Sequence, residues 1–145
     1  MNLKAAFKKA DLRRLNDKLR KMDVDMRKES TKQLVKAAMA IRNDAVRSVM
    51  GPPKTGEIYG KHQASAPGES PATDTGNLAG SINVTSDKDR VMATVVVSAN
   101  YAMALEFGTR NMEERPFMRP AIENNKHLLP SGIKDAFSVA KPKKG

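Results

Sequence analysis

Residues 101–121, YAMALEFGTRNMEERPFMRPA, gather three of the chain's six aromatics, Tyr101, Phe107 and Phe117, among three arginines, Arg110, Arg115 and Arg119. Such a mixture serves three chemistries: a catalytic centre, a stacking and phosphate-binding surface for nucleic acid, or a docking surface with aromatic and arginine anchors. Glu106 is the carboxylate set amid apolar residues, with Arg110 one helical turn away. A carboxylate in that setting marks an internal or interfacial ion pair more often than an acid–base catalyst. Many other carboxylates lie at helical spacing from bases, as Asp17 does from Lys21 and Glu29 from Lys32.

Catalytic patterns elsewhere fail on spacing. GEIYGKH at 56–62 has three residues between its glycines where a phosphate loop has four, and His62 stands where Ser or Thr should hold magnesium. His62 lies in a Gly/Ser-rich loop and His127 near a helix end, with no HExxH pair or clustered acids beside either. Cysteine is absent, which removes disulfides, thiolate nucleophiles and thiolate-held metals together. The expectation is a protein without catalytic, cofactor or metal residues.

The frame that positions these residues is small. At 145 residues the chain makes one domain, and 39% apolar residues with 4% aromatics and no Trp predict a thin core. Burial against a partner is then a natural part of its stability. The net charge of +10 is concentrated: residues 1–50 hold 14 Lys/Arg against 6 Asp/Glu, whereas 51–100 hold 4 against 5. That basic first third suits either a solvated helix or a surface for a polyanion. The N-terminus has no apolar signal region, and the longest apolar run, AAMAI at 37–41, is far shorter than a bilayer span, so neither secretion nor membrane spanning is expected.

The N-terminal region 1–50 reads as helix. Leu12, Leu15, Leu19, Met22 and Met26 follow a 3,4,3,4 spacing that forms one stripe, expected to pack on the chain's own domain. A second stripe, Leu34, Ala38, Ile41, Ala45 and Val49, resumes in a new phase, so the helix bends or two helices meet near 22–31, with Asp23 and Asp25 as N-cap candidates. Gly51, Pro52 and Pro53 end it. Residues 51–76 read as a long extended arm, ordered against a neighbour or disordered.

Asp74 or Thr75 is expected to cap a short turn before a β-hairpin, in which Ile82 and Val84 pair with a strand facing inward through Val91, Ala93, Val95, Val97 and Ala99. Tyr101 to Phe107 reads as a helical turn stopped by Gly108, with a third strand as the rival. A C-terminal helix is expected from about Pro120 to His127. It closes the hairpin-plus-helix region 77–128. Residues 129–145 read as a last helical turn and a loose basic tail. The fold class is α+β: a long helix on a small antiparallel sheet built around a hairpin.

Three pieces in this order, the arm ASAPGESPATDTGNLAGSI, then YAMALEFGT, then RPFMRPA, resemble the Hong Kong phage 97 type tail components, a family of tailed-bacteriophage neck and tail-completion proteins. The matching residues are Tyr101, Ala102, Glu106, Phe107, Gly108, Thr109, Pro116, Phe117, Met118, Pro120 and Ala121, and the resemblance spans roughly residues 30 to 125. It implies a non-enzymatic virion protein, assembled in the host cytoplasm, at the head–tail junction. It also implies a ring, expected to be a hexamer, around the DNA channel. Its neighbours would be connector or head-closure proteins and tail terminator or tube proteins, with DNA passing through. In that setting Glu106 and Arg110 are expected to fix the turn, and Phe117 and Met118 to anchor the C-terminal helix on the hairpin, leaving Arg115 and Arg119 for a neighbour. A basic nucleic-acid-binding phage protein is the alternative.

Overall fold

The computed structural model describes residues 9–129, with side chains from residue 13 onward; the side chain of Leu12 and the expected last helical turn and tail beyond residue 129 lie outside what it describes. Helix α1 runs unbroken over Lys9–Met50. The expected break near 22–31 is absent, because no Gly or Pro interrupts a run rich in Ala, Leu, Met, Lys and Arg. Asp23 is therefore no N-cap. Its carboxylate holds Arg27 at 3.0 Å one turn on, and the Arg27 guanidinium also donates to the Asp89 carbonyl at 2.8 Å.

The change of phase between the two stripes is a change of face. At about 100° per residue the mean direction of the second stripe is rotated roughly 100° from the first. The second stripe is the core face: Ala38, Ile41, Ala45 and Val49 are buried, with Leu34 half-buried. The first stripe does not pack on its own domain as expected. Leu15, Leu19, Met22 and Met26 are 50%, 54%, 59% and 67% exposed, since the body of the chain flanks only the later part of α1.

The segment after α1 differs from an extended arm. It makes a small antiparallel hairpin, β1 (Ile58–Tyr59) with β2 (His62–Gln63), and folds back on its own chain. Lys54 Nζ donates to the Ser48 carbonyl and to Ser70 Oγ, the amide of Gly68 donates to the Glu114 carbonyl, and Pro71 is fully buried. The single-turn helix α2 (Asn77–Gly80) begins at Gly76 rather than from an Asp74 or Thr75 cap, with Thr73 Oγ1 accepting the Gly76 amide at 2.9 Å.

Strands β3 (Ile82–Asp87) and β4 (Met92–Val97) pair antiparallel, from Ile82 opposite Val97 to Asp87 opposite Met92. Asp87 Oδ1 accepts the amides of Asp89 and Arg90 and so shapes the turn. The inward face, Ile82, Val84, Ala93, Val95 and Val97, packs with α1. Met92, Thr94 and Val96 point the other way with Asn83 and Thr85, and all five are exposed.

Helix α3 (Ala102–Phe107) settles the rivalry at 101–107 in favour of a helical turn. Helix α4 (Met118–Asn125) starts two residues before Pro120 and leads into a 3-10 turn at Lys126–Leu128. It lies along α1, where Asn124 and Asn125 donate to Asp44 Oδ2. One core joins Ile41, Ala45 and Val49 to Leu78, Ile82, Phe117, Ala121 and Ile122. The architecture is α+β, as the sequence implied.

Candidate functional site

Helix α4 opens with backbone N–H groups that have no partner within the helix. Glu106, at the end of α3, supplies them. Its Oε2 accepts the amides of Phe117 and Met118, and its Oε1 accepts the amide of Arg119, each at 2.9 Å. The next residue, Pro120, has no N–H to satisfy, so the first turn of α4 is fully accounted for. The carboxylate is 3% exposed, and its negative charge sits at the positive end of the helix.

Arg119 completes the clasp. Its Nε donates to Glu106 Oε1 at 3.1 Å, and its Nη2 donates to the Glu106 carbonyl and to Glu114 Oε2, both at 2.7 Å. The guanidinium lies 5.3 Å from the centre of the Phe107 ring, within range of a cation–π contact. The expected partner Arg110 is exposed and belongs to no ion pair among the described residues. Gly108 is the reason. It leaves the helix at φ 70°, ψ 178°, so the chain departs before Arg110 comes one turn above Glu106.

Two arginines expected to face a neighbour are thus turned inward. Arg119 belongs to the clasp, and Arg115 Nε donates to the Ser65 carbonyl at 3.1 Å while its amide donates to the Leu105 carbonyl. Phe117 is 1% exposed and Met118 is buried, both within the core that α4 forms with α1. The surface combining Phe117 with Arg110, Arg115 and Arg119 for stacking on nucleic acid is therefore not formed. Tyr101 precedes α3, 40% exposed, and its hydroxyl accepts a hydrogen bond from Asn77.

Sequence reading missed Glu69. It accepts Thr55 Oγ1 at 2.6 Å and the amides of Thr55 and Ala66, pinning both ends of the folded-back segment. These bonds hold its carboxyl below the usual glutamate range. No capping-box signature marks it, since Ala66 is not the Ser or Thr of that motif and no helix follows. Burial lowers the Lys54 ammonium, a shift that Glu69 partly opposes.

An open groove of about 410 Å³ runs beside this segment, with His62, Asp74, Tyr101 and Arg115 on its walls. His62 Nδ1 and Asp74 Oδ1 are 4.0 Å apart, too far for a hydrogen bond, and Arg115 is engaged with the Ser65 carbonyl. No cluster of His, Asp or Glu among the described residues has a metal-binding arrangement. No described helix is long and apolar enough to cross a membrane. Glu106, Phe117, Met118, Arg115 and Arg119 build an internal joint, whereas the exposed large apolar side chains lie mostly on α1, on the β1–β2 tip and on the outer hairpin face, with Tyr101, Met103 and Leu128 elsewhere.

Among protein-family models, the one described as bacteriophage HK97-gp10 tail component matches residues 13–108. The match takes in the exposed half of α1 and ends at Gly108, before the RPFMRPA segment. No curated protein and no solved structure matches the chain.

Proposed function

Because the chain belongs to the HK97-gp10-like family of bacteriophage tail components, we propose that this virion-associated structural protein works at the head–tail junction as one subunit of a ring around the DNA channel. In this reading six copies close the ring where a sixfold tail begins. Connector or head-closure proteins lie on one side, and tail terminator or tube proteins on the other. The role is mechanical and requires no catalysis.

The observation that carries it is the exposed stripe Leu15, Leu19, Met22 and Met26. It is contiguous, apolar and turned about a quarter of the way round from the face that packs on the body, so it points to the flank of the subunit. A lateral apolar surface is what a subunit needs for a heterologous contact that repeats round a ring.

Electron microscopy of lysates from the phage carrying this gene, with its expression silenced, tests the role. Filled heads beside unattached tails are expected. Normal joined virions would remove the junction from consideration.

A second reading has its own support. Arg13, Arg20, Lys21 and Lys28 lie on the side of α1 opposite the stripe, and all are exposed. Within a ring such a face suits the passing DNA; in a free protein it suits duplex binding. Duplex affinity falling with salt by a log–log slope of roughly 0.9 per neutralised phosphate would support it. Absence of binding at low salt would dismiss it.

A further inference from the structure

We propose that the Leu15–Met26 stripe on α1 of one copy lies across the outer face of the β3–β4 hairpin of a second copy. Each hairpin is then covered by its own helix on one side and by a neighbour's on the other. The contact rests on the ring reading and names the surfaces through which the ring closes.

Both surfaces are uncovered apolar faces of regular elements, and each chain carries one of both. On the helix, Leu15, Leu19, Met22 and Met26 are at least half exposed. On the hairpin, Met92 and Val96 are 44% and 41% exposed beside Thr94, Asn83 and Thr85, and the charge on that face is Asp87, opposite Met92 at the turn end and paired with Arg90 at 3.6 Å. The inner face of the hairpin is already covered by α1, so the outer apolar side chains are the part left for a partner to cover.

Their lengths agree. From Leu15 to Met26 the helix rises about 17 Å at 1.5 Å per residue, and from Met92 to Val96 the strand covers about 13 Å at 3.3 Å per residue.

Charge selects this pairing over the obvious rival, in which two stripes meet as a coiled coil. Residues 13–30 hold seven Lys/Arg against four Asp/Glu, so two such helices repel. Residues 51–129 hold eight against nine, and the basic helix meets no such opposition there. The stripe also offers only two heptads, fewer than the three or four a coiled coil needs.

A footprint one helix wide, about 10 Å, and about 17 Å long is smaller than the roughly 800 Å² per partner of a lone stable pair. A closed ring gives every copy two such contacts at once, and the closure supplies the missing stability.

The absence of cysteine from the chain makes the test clean. Copies carrying Leu19→Cys and copies carrying Val96→Cys are co-assembled into phage particles and treated with a short bismaleimide. Both positions are exposed, so the purified variants should melt with the unchanged chain, and Met22→Cys with Met92→Cys provides a second pair. The expected result is a mixed dimer in the co-assembled particles and none in particles holding either variant alone. Dimers of Leu19→Cys with itself would overturn the proposal in favour of helix–helix pairing. Failure of both thiol pairs, while an amine-reactive reagent still yields multimers, would overturn the docking and leave the ring standing. Failure of both reagents would overturn docking and ring together.

Discussion

A carboxylate that accepts three backbone amides and a guanidinium N–H cannot become an amide without turning a donor toward donors. Glu106→Gln is therefore expected to lower stability by about 3 kcal/mol, read as a drop in the urea midpoint at unchanged m-value. Gly108 is under a separate constraint. A Cβ there would lie 2.8 Å from the Met112 carbonyl oxygen and 2.9 Å from the Glu114 amide nitrogen, on a backbone region that glycine alone occupies freely. Gly108→Ala should cost at least about 2 kcal/mol in the same titration. At this scale the sequence marked Glu106 correctly as a carboxylate seeking a cation, because its neighbours are apolar. It pointed to Arg110 and left Arg119 for a neighbour, whereas the cation that pairs with it is Arg119. The i to i+4 rule applies only while a helix continues, and the partner that wins arrives from a different helix thirteen residues later.

Elements were most legible where the period was strong. The second stripe of α1 and the alternation along β4 both face the core as their spacing implied, while the first stripe, equally regular, faces solvent. Periodicity identifies a helix with an apolar face and says nothing about what covers it. In the isolated subunit, the amides of residues 13–26 should therefore exchange with solvent much faster than those of residues 37–49. Comparable protection along the whole helix would mean that the stripe is already covered. The segment after α1 was misread for a related reason: Gly, Pro and Ser offer no period, and its order comes from Glu69 and Lys54. A carboxyl whose folded pKa is depressed contributes fully above its unfolded pKa, and that contribution is lost as pH falls through the lower folded value. On acidification the protection factors of Thr55 and Ala66 should fall in that window, and Glu69→Gln should abolish the step.

For the whole molecule, the α+β architecture could be read from the helical stripes and the alternating hairpin, and the family resemblance from three ordered motifs, but the outward or inward disposition of the motif side chains could not. The folded-back segment shows the difference. Cutting all of residues 57–70 removes Ser65, Glu69 and Ser70, which hold the body together. Replacing Ile58–Gln63 by two glycines leaves Glu57 and Ala64 paired and should change stability by no more than about 1 kcal/mol. The larger cut should cost clearly more, and equal melting of the two would mean that the segment contributes nothing to the fold. The unbroken α1 sets a final property of the molecule. Arg27 is tied to the hairpin turn, and the eighteen residues from Lys9 to Met26 extend about 27 Å beyond that tie. They form a cantilever: tilting the body by about 5° carries the far end through roughly 2 Å, close to the tolerance of packed side chains. Whatever surface grips that end senses the subunit's orientation to within a few degrees, so the helix serves as an angular gauge as well as a point of attachment.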